Sequence, residues 1–486
     1  MIKLIIKQAN WGVAGSIFGF VIGFFIKIYL IDIVGIDQWG KYVSAHAFSG
    51  AMSTIIAFGI PWVIVKYIPK YIDTDLATAR QLIKKILIYS LLMSFVFLVL
   101  IYFFAPVLDI YIYKEINNFS LILLVTSINV PISILMGIIV SLYRSVFKIK
   151  EIMLYGTFII VPLRAILTYF VFIYTDNILY FIGIEILTTF LSLSLLFYLF
   201  HKNVFPIILV KKDPDFKIDS EIKSYAKKMY ANSLVTFFAS QSLSLILSLI
   251  LPPRYIGVYS ILLSISGVTL FLINNLNTIF APAISKLYSE NRMDELEDLF
   301  KKTTFIINFL ALPFIISIII FSRDILYLYD STGALVKYAP YLYIIMFGRI
   351  IRLLVGGAGS ILVMANLEGY ELKLQFFKAL LINILAILFI SKYKLDAVVI
   401  LFVLFSLLAE AYRVVIIYTK LNIHPFSTPY YLLVLFSIPF MYIGMNHELD
   451  FKIFHFFLIP MFLYLCYTLM FFKQIKFIYL DIINTD

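Results

Sequence analysis

Apolar runs of about 20 residues recur from one end of this sequence to the other, and they constrain its fold more than any other feature. Membrane-spanning helices require continuous runs of this length, whereas a transmembrane β-barrel would show shorter, alternating segments. Hydrophobic residues make up 62% of the 486 residues and charged residues only 14%, which excludes an ordinary soluble globular protein. The sequence therefore predicts an all-α integral membrane protein with about 14 transmembrane helices.

The longest charged stretch, residues 201–228, divides these runs into two groups. It predicts a basic cytoplasmic linker between an N-terminal lobe of six spans (1–200) and a C-terminal lobe of six spans (229–418), with two additional helices and a cytoplasmic tail at 419–486. The predicted spans are 10–31, 42–65, 86–107, 119–141, 152–174, 178–200, 229–251, 256–281, 303–322, 338–363, 374–391, 397–418, 430–444 and 451–472.

The distribution of basic residues predicts the orientation. With both termini in the cytoplasm, 27 of the 39 Lys and Arg residues are assigned to the cytoplasmic side, nine to the outside, and three (Arg164, Arg349 and Arg352) to the interiors of spans. The net charge of +11 is thus explained by membrane topology, and a nucleic-acid partner is not expected. One cysteine, Cys466, and five scattered histidines predict no metal site, no cofactor and no intrachain disulfide.

A weak internal repeat relates the two lobes. A shift of 217 residues superposes the Gly-x-Tyr at 40–42 on that at 257–259, the Ser-Gly at 49–50 on 266–267, and the Lys-Lys at 84–85 on 301–302. Because six spans form each unit, the two copies start on the same side of the membrane. The repeat therefore predicts parallel lobes around a pseudo-two-fold axis, with a substrate path between them.

Ionisable residues inside spans cost about 2.5 to 3.5 kcal/mol each to insert, so they indicate either function or tight pairing. Arg349 and Arg352 fall near the centre of the tenth span, and their i,i+3 spacing places them on one helix face that Gly356 and Gly359 continue. They suit bidentate capture of a phosphate or carboxylate in a water-filled cavity. The alternative is a structural tie to carbonyls or a carboxylate of a neighbouring helix. The glycine-rich run also predicts a helix that bends easily.

Further candidate residues lie in four other predicted spans. Arg164, at similar depth in the fifth span, is a second cation for an anionic substrate. Glu185 in the sixth span either pairs with an arginine or binds a coupling proton or sodium ion. Glu410 is a further candidate for ion coupling, although its i,i+3 spacing to Arg413 favours a local salt bridge. Three asparagines of the eighth span either line the cavity or bond helix to helix: Asn274, Asn275 and Asn277.

Two short segments resemble a known family. The segment Trp39-Gly40-Lys41-Tyr42 is similar to the opening of the second helix, and Tyr143-Arg144-Ser145-Val146-Phe147-Lys148 to the basic loop after the fourth helix, of polysaccharide flippases of the Wzx type. Those flippases belong to the MOP superfamily, which also includes multidrug and toxin extruders and lipid II flippases. The length, the topology and the two lobes are similar over almost the whole chain.

The resemblance implies a flippase rather than an enzyme. It implies that a polyprenyl-diphosphate-linked oligosaccharide, such as an O-antigen, capsule or exopolysaccharide repeat unit, crosses the bacterial plasma membrane by alternating access. Arg349, Arg352 and Arg164 would bind the anionic part, and the last two helices would flank a lipid-facing groove for the polyprenyl tail. The expected partners are the glycolipid, membrane lipid and polysaccharide-assembly proteins such as a polymerase, and the expected state is a monomer.

Two other functions compete with this interpretation. A cation-coupled drug antiporter of the same superfamily would have similar lobes but a cavity carrying carboxylates. A membrane-embedded polymerase or glycosyltransferase would carry a large external loop or a catalytic carboxylate motif. The predicted interior is more cationic than acidic and the predicted outer connections are short, so both rank below a flippase.

Overall fold

The computed structural model describes residues 2–114, 119–206, 218–446, 456 and 458–472, with side-chain positions defined except at 2–9, 73, 271–279, 282 and 446. Within these ranges the chain is helical almost throughout and contains no strand. The predicted all-α fold class is therefore confirmed.

Eighteen α-helices follow one another in the described ranges. In chain order they are α1 (Ile2–Ala57), α2 (Ile60–Thr74), α3 (Leu76–Tyr111), α4 (Phe119–Ser127), α5 (Asn129–Ser145), α6 (Ile149–Met153), α7 (Ile160–Phe172), α8 (Ile178–Asn203), α9 (Ser220–Ser240), α10 (Ser242–Ile250), α11 (Pro253–Ser289), α12 (Met293–Ile320), α13 (Ser322–Tyr329), α14 (Ala339–Leu354), α15 (Ala358–Met364), α16 (Glu368–Leu421), α17 (Thr428–Asn446) and α18 (Leu458–Met470). A π-helical turn at Leu154–Phe158 joins α6 to α7, and a 3-10 turn at Val336–Tyr338 precedes α14.

Eight helical stretches in the described chain are long and apolar enough to cross a membrane, or ten if each of two bent pairs counts as one span. Of these eight, α1 contains one of the spans predicted from the sequence and most of a second, and α16 contains two. They are kinked at Gly35, with φ of 77°, and at Lys394, with φ of 50°, where the sequence predicts short outer connections. The fold is that of a multi-pass membrane protein, and the count of fourteen spans stays a prediction.

The exposed face of α3 carries large apolar side chains, as expected of a helix in contact with lipid. Phe95, Tyr102 and Phe103 are each about two-thirds exposed, whereas Ser90 and Ser94 are buried against the rest of the protein. Large apolar side chains outside and small hydroxyls inside invert the pattern of a water-soluble helix. Lipid contact on that face explains this arrangement, because small residues let membrane helices pack closely.

Contacts within the chain define two compact units, Met1–Gly257 and Val258–Asp486. The helices of the predicted seventh span, α9 and α10, pack against α1 in the first unit. The boundary between the units thus falls inside α11. The lobes predicted at 1–200 and 229–418, with their linker and the 419–486 extension, stay a prediction.

Two of the predicted spans are broken helices rather than straight ones. The seventh bends by 56° between α9 and α10, and the tenth bends by 44° between α14 and α15. Gly356 in the second break has a φ of 55°, and a Cβ there would lie 2.9 Å from the Cα of Thr304. Only glycine tolerates both the positive φ and that approach. The predicted bend is therefore confirmed, but the prediction that Gly356 continues the arginine face is wrong, because α14 ends at Leu354.

The glycines superposed by the repeat lie against each other. A Cβ on Gly257 would lie 2.7 Å from the carbonyl oxygen of Ile36 and 3.3 Å from the Cα of Gly40, and a Cβ on Gly40 would overlap the carbonyl of Pro253. The first turn of α11 therefore crosses α1 with backbone against backbone. A glycine at both positions of the repeat is explained by this one crossing.

Candidate functional site

The first candidate site surrounds Arg164 on α7. Its Nε donates a hydrogen bond to Thr188 Oγ1 and its Nη2 to Thr189 Oγ1, each at 2.9 Å, and its Nη1 lies 3.6 Å from Glu185 Oε1. All three acceptors belong to α8, and Thr188 and Thr189 follow Glu185 by one helical turn. Arg164 thus links α7 to α8, and the carboxylate of Glu185 supplies its counter-charge.

Glu185 is shared with the segment that resembles the flippase family. Tyr42 donates a hydrogen bond from its hydroxyl to Glu185 Oε2 at 3.0 Å, and Lys27 interacts with the same carboxylate electrostatically. Trp39 stacks beside Tyr42 with ring centroids 5.0 Å apart, and both rings are buried. The Trp39–Tyr42 segment therefore positions a carboxylate that the sequence alone assigned either to pairing or to ion coupling.

The second candidate site begins at Arg349 on α14, whose side chain is only 8% exposed. Its Nε and Nη2 both donate to Ser266 Oγ at 3.3 Å, and its Cζ lies 4.9 Å from the centroid of the Phe402 ring. These hydrogen bonds are longer than the usual range of about 2.7 to 3.2 Å. Within the described part of the chain no carboxylate neutralises this guanidinium.

Arg352, one turn further along α14, faces an ionic group that we call the Glu371 cluster, formed by Glu371, Lys378, Glu410 and Arg413. Arg413 bonds both oxygens of Glu371 through Nε at 2.9 Å and Nη2 at 2.6 Å, and its Nη1 bonds Glu410 Oε1 at 2.6 Å. The predicted Glu410–Arg413 salt bridge is thus confirmed.

Cations are in excess around this cluster. Arg352 and Lys378 interact electrostatically with Glu410 and Glu371, so three cations face two carboxylates. Arg413 is held by a bidentate carboxylate, which is its strongest pairing geometry. Arg352 makes no hydrogen bond or ion pair within the residues that the structure describes. An anion entering here would meet a guanidinium that is not committed to a partner.

An apolar groove of about 750 Å³ adjoins this site. Its walls come from α14, α16 and α17, and include Leu354, Val414 and Val434, with Glu410 as its charged member. A second cavity of about 780 Å³ shares Val414 and Tyr431 with it and reaches Lys301 and His424. Of the two C-terminal helices predicted to flank a lipid groove, α17 lines these cavities, and residues 458–470 of α18 contribute no lining residue.

The structure separates the predicted site residues into two groups. It brings Arg164 together with Glu185, and Arg352 together with Glu410, and it places Arg349 beside Ser266. The backbone at Asn274, Asn275 and Asn277 lies in α11, but their side chains fall outside the described positions.

Several residues that contact the predicted site residues were not identified from the sequence. Glu371 lies just before a predicted span and Lys378 lies within it, and neither belongs to a motif. Their spacing of seven residues is the one signal that places both on one face of α16. Ser266 gave no signal of its own, although it belongs to the Ser-Gly pair of the repeat. Phe402 is one of many phenylalanines in a phenylalanine-rich chain.

Comparisons with known proteins agree with these observations. The model of a family described as polysaccharide biosynthesis protein matches residues 5–288, and the MatE family model matches residues 229–386. No protein of curated function matches this sequence.

Solved structures with the same fold include lipid II flippase MurJ in an inward closed conformation, at 15% identity and a TM-score of 0.73, covering 95% of this chain and 99% of that one. An inward-facing multidrug resistance MATE transporter of the MOP superfamily matches at 14% identity and a TM-score of 0.67, covering 82% and 94%. A MOP superfamily transporter from Pyrococcus furiosus, described by the reverse polarity of its binding pocket, matches at 13% identity and a TM-score of 0.57, covering 92% and 97%.

Proposed function

Because the chain belongs to the polysaccharide biosynthesis protein family of the MOP exporter superfamily, we propose that it is a flippase for a polyprenyl-diphosphate-linked oligosaccharide. It moves this glycolipid from the cytoplasmic to the outer leaflet of a bacterial plasma membrane, with both termini in the cytoplasm. The family match and the fold support a transporter of this superfamily.

The observation that carries the substrate assignment is the unneutralised charge of Arg349. A buried guanidinium without a carboxylate is unfavourable unless a ligand supplies the missing negative charge. A diphosphate fits because Arg349 and Arg352 lie one helical turn apart, and guanidinium groups bind phosphate oxygens in pairs. In this proposal the diphosphate replaces Ser266 as the acceptor for Arg349 and approaches Arg352 from the same side.

The apolar groove beside Arg352 supports the lipid part of the substrate. Its walls on α14, α16 and α17 are almost entirely hydrocarbon, as a polyprenyl chain requires. Glu410 at its edge marks the point where the groove meets the charged cluster. The glycan and its diphosphate would therefore occupy the cationic side, and the tail would leave along α17.

Arg164 has a different role in this proposal. Its charge is already compensated by Glu185 and its donors by two threonines, so binding a diphosphate there would require breaking an ion pair. We assign Arg164 primarily to holding α7 against α8.

The test is the appearance of a labelled polyprenyl-diphosphate oligosaccharide in the opposite leaflet of proteoliposomes. We expect Arg349→Ala/Arg352→Ala to lower the rate by at least about 100-fold, since each charged hydrogen-bonding group contributes about 1.5 to 3 kcal/mol and about 1.4 kcal/mol corresponds to tenfold. Arg349→Lys/Arg352→Lys, which keeps both charges, should retain part of the rate. Arg292→Gln, at an exposed ion pair of the same unit, is the matched control and should transport normally.

Normal transport by a well-folded Arg349→Ala/Arg352→Ala protein would refute the assignment of these arginines. Failure of the wild type with every glycolipid tested would refute the substrate class.

A cation-coupled drug antiporter is the second candidate, favoured by the MatE match at 229–386. In that case Glu185 and Glu410 would bind the coupling ion. Both carboxylates are engaged by arginines here, so the coupling ion would have to displace Arg164 or Arg413. Gradient-driven efflux of a cationic dye, abolished by Glu185→Gln, would establish this alternative in place of the flippase.

A further inference from the structure

A pocket in the first unit has no place in the transport path proposed above. It encloses about 290 Å³, close to the lower end of the size range of small-molecule sites. Apolar side chains from α2, α3 and α9 form its walls, among them Ile60, Val63, Leu82, Ile86 and Ile222. We call it the Lys223 pocket.

Three lysines line the pocket together with these apolar walls: Lys85 on α3, and Lys223 and Lys227 on α9. Lys223 and Lys227 are exposed and stand one helical turn apart. Like charges at this spacing destabilise a helix. No carboxylate is among the lining residues of the pocket, so its charge complements an anion.

The sequence places these lysines at the membrane boundary. Lys85 directly precedes the predicted third span at 86–107, and Lys227 lies two residues before the predicted seventh span at 229–251. The excess of basic residues assigns both positions to the cytoplasmic side. The pocket thus has its cations at headgroup depth. Three of its apolar residues, Ile60, Val63 and Ile86, fall inside predicted spans and therefore lie at the depth of the acyl chains.

The wall formed by Phe58 is held in place by unusual backbone geometry. Phe58 and Gly59, between α1 and α2, have φ values of 45° and 70°. A Cβ on Gly59 would lie 2.8 Å from the carbonyl oxygen of Ala226, and the ring of Phe58 packs on Tyr230 with centroids 4.5 Å apart. Strained residues persist where the surroundings fix them, and they cluster at ligand sites. The helix that carries Lys223 and Lys227 is therefore fixed against the break that shapes the pocket.

We propose that the Lys223 pocket binds one anionic phospholipid of the cytoplasmic leaflet. Its phosphate lies among Lys85, Lys223 and Lys227, and part of an acyl chain fills the space between Ile60, Val63 and Ile86. Basic pockets between membrane helices on the cytoplasmic side bind acidic lipids in this manner. The bound lipid joins α9 to α3, and so stabilises the first unit independently of any transported substrate.

The test compares phosphatidylglycerol with phosphatidylcholine on the full-length protein in detergent micelles. Native mass spectrometry measures lipid retention, and a thermal unfolding curve measures the rise in Tm with added lipid. We expect phosphatidylglycerol to be retained and to raise Tm, and phosphatidylcholine to do neither. In Lys223→Gln/Lys227→Gln the apparent affinity for phosphatidylglycerol should fall about 10- to 30-fold, because each basic residue near an anionic headgroup contributes several-fold.

The matched control is Lys202→Gln/Lys228→Gln, which removes the same charge from two exposed lysines outside the pocket lining. It should keep the response of the wild type. An equal loss in this control would overturn the proposal in favour of nonspecific attraction, and an unchanged response of Lys223→Gln/Lys227→Gln would overturn it directly. Displacement of phosphatidylglycerol by a polyprenyl-diphosphate glycolipid would also overturn it, because the pocket would then be a binding site for the transported substrate.

Discussion

Two arginines, Arg164 in the first unit and Arg349 in the second, occupy comparable places in their predicted spans but have opposite surroundings. Arg164 contacts a carboxylate and two hydroxyls, whereas Arg349 contacts one hydroxyl and an aromatic ring. In the first arrangement the charge of Arg164 is compensated within the protein, so the residue has a structural role. The second leaves positive charge available, which explains why we assign anion binding to the second unit.

The same contrast extends to the helices that carry the two residues. The π-helical turn at Leu154–Phe158 precedes Arg164, and α7, the helix that carries Arg164, continues without a break to Phe172. The helix of Arg349 and Arg352 instead ends two residues after Arg352 and bends by 44° at Gly356. A charge beside a bend can change its surroundings when the helix moves, whereas a charge tied to the neighbouring helix moves with it.

Glu371→Ala should have the largest effect on stability. It removes the bidentate partner of Arg413, whose side chain is 12% exposed, and leaves a buried guanidinium with Glu410 alone. Breaking a buried pair in this way costs about 3 to 5 kcal/mol. Thermal unfolding in detergent measures it, with Glu295→Gln at an exposed ion pair as the control. A Tm equal to that of the control would show that the Glu371 cluster does not hold the second site together.

Gly356→Ala should come next, with a loss of about 2 to 3 kcal/mol from the positive φ and the close approach to Thr304. Gly359→Ala is the matched control, because its Cβ would lie 3.7 Å from Arg413 Nε, an ordinary contact, and its backbone is helical. We expect that control to be neutral or slightly stabilising. Equal unfolding temperatures for the two variants would show that the bend at Gly356 does not depend on glycine, and the bend would then no longer distinguish the surroundings of Arg349 from those of Arg164.

Glu185→Gln distinguishes a structural tie from an ion-coupling group. It keeps a hydrogen-bonding side chain beside Tyr42 but removes the counter-charge of Arg164, so we expect a loss of about 1 to 2 kcal/mol in stability with transport reduced less than threefold. Unfolding and leaflet-exposure assays on the same preparation measure both. Unaltered stability with abolished transport would contradict the structural role and make Glu185 functional.

Ser266→Ala and Phe402→Leu should have the smallest effects, about 1 kcal/mol each, because the first removes two long hydrogen bonds and the second a cation–π contact. Each should leave the charge of Arg349 in place, so the apparent affinity for the glycolipid should change by less than tenfold. Loss of affinity as large as that of Arg349→Ala would show that the neutral contacts, and not the charge, determine binding.

Predicting the site from the sequence succeeded where the signal was local. The i,i+3 spacing of Glu410 and Arg413 predicted their salt bridge, because residues at this spacing share a helix face. The glycine-rich run predicted the bend. The pairing of Arg164 with Glu185 was one of two alternatives that the sequence left open, and choosing between them required the distance between two helices.

Long-range partners could not be predicted. Glu371 and Arg413 are separated by 42 residues and Arg349 and Ser266 by 83, and nothing in the spacing of such residues fixes how their helices pack. The close approach of Gly40 and Gly257 lies between these two cases, the local contacts that were predicted and the long-range contacts that were not. The repeat related these glycines to each other, but only the structure revealed that a single backbone crossing explains both.

The sequence by itself determined the fold class, because a lipid bilayer admits few structures and long apolar runs satisfy its demand for internal hydrogen bonds. Its basic residues predict a preferred orientation, because Lys and Arg favour the cytoplasmic side of a membrane. Tertiary structure decided which charges are compensated, since helices of nearly uniform composition can pack in many registers. The difference between Arg164 and Arg349 is therefore a property of helix packing, and the two residue environments could not have been distinguished from the chain alone.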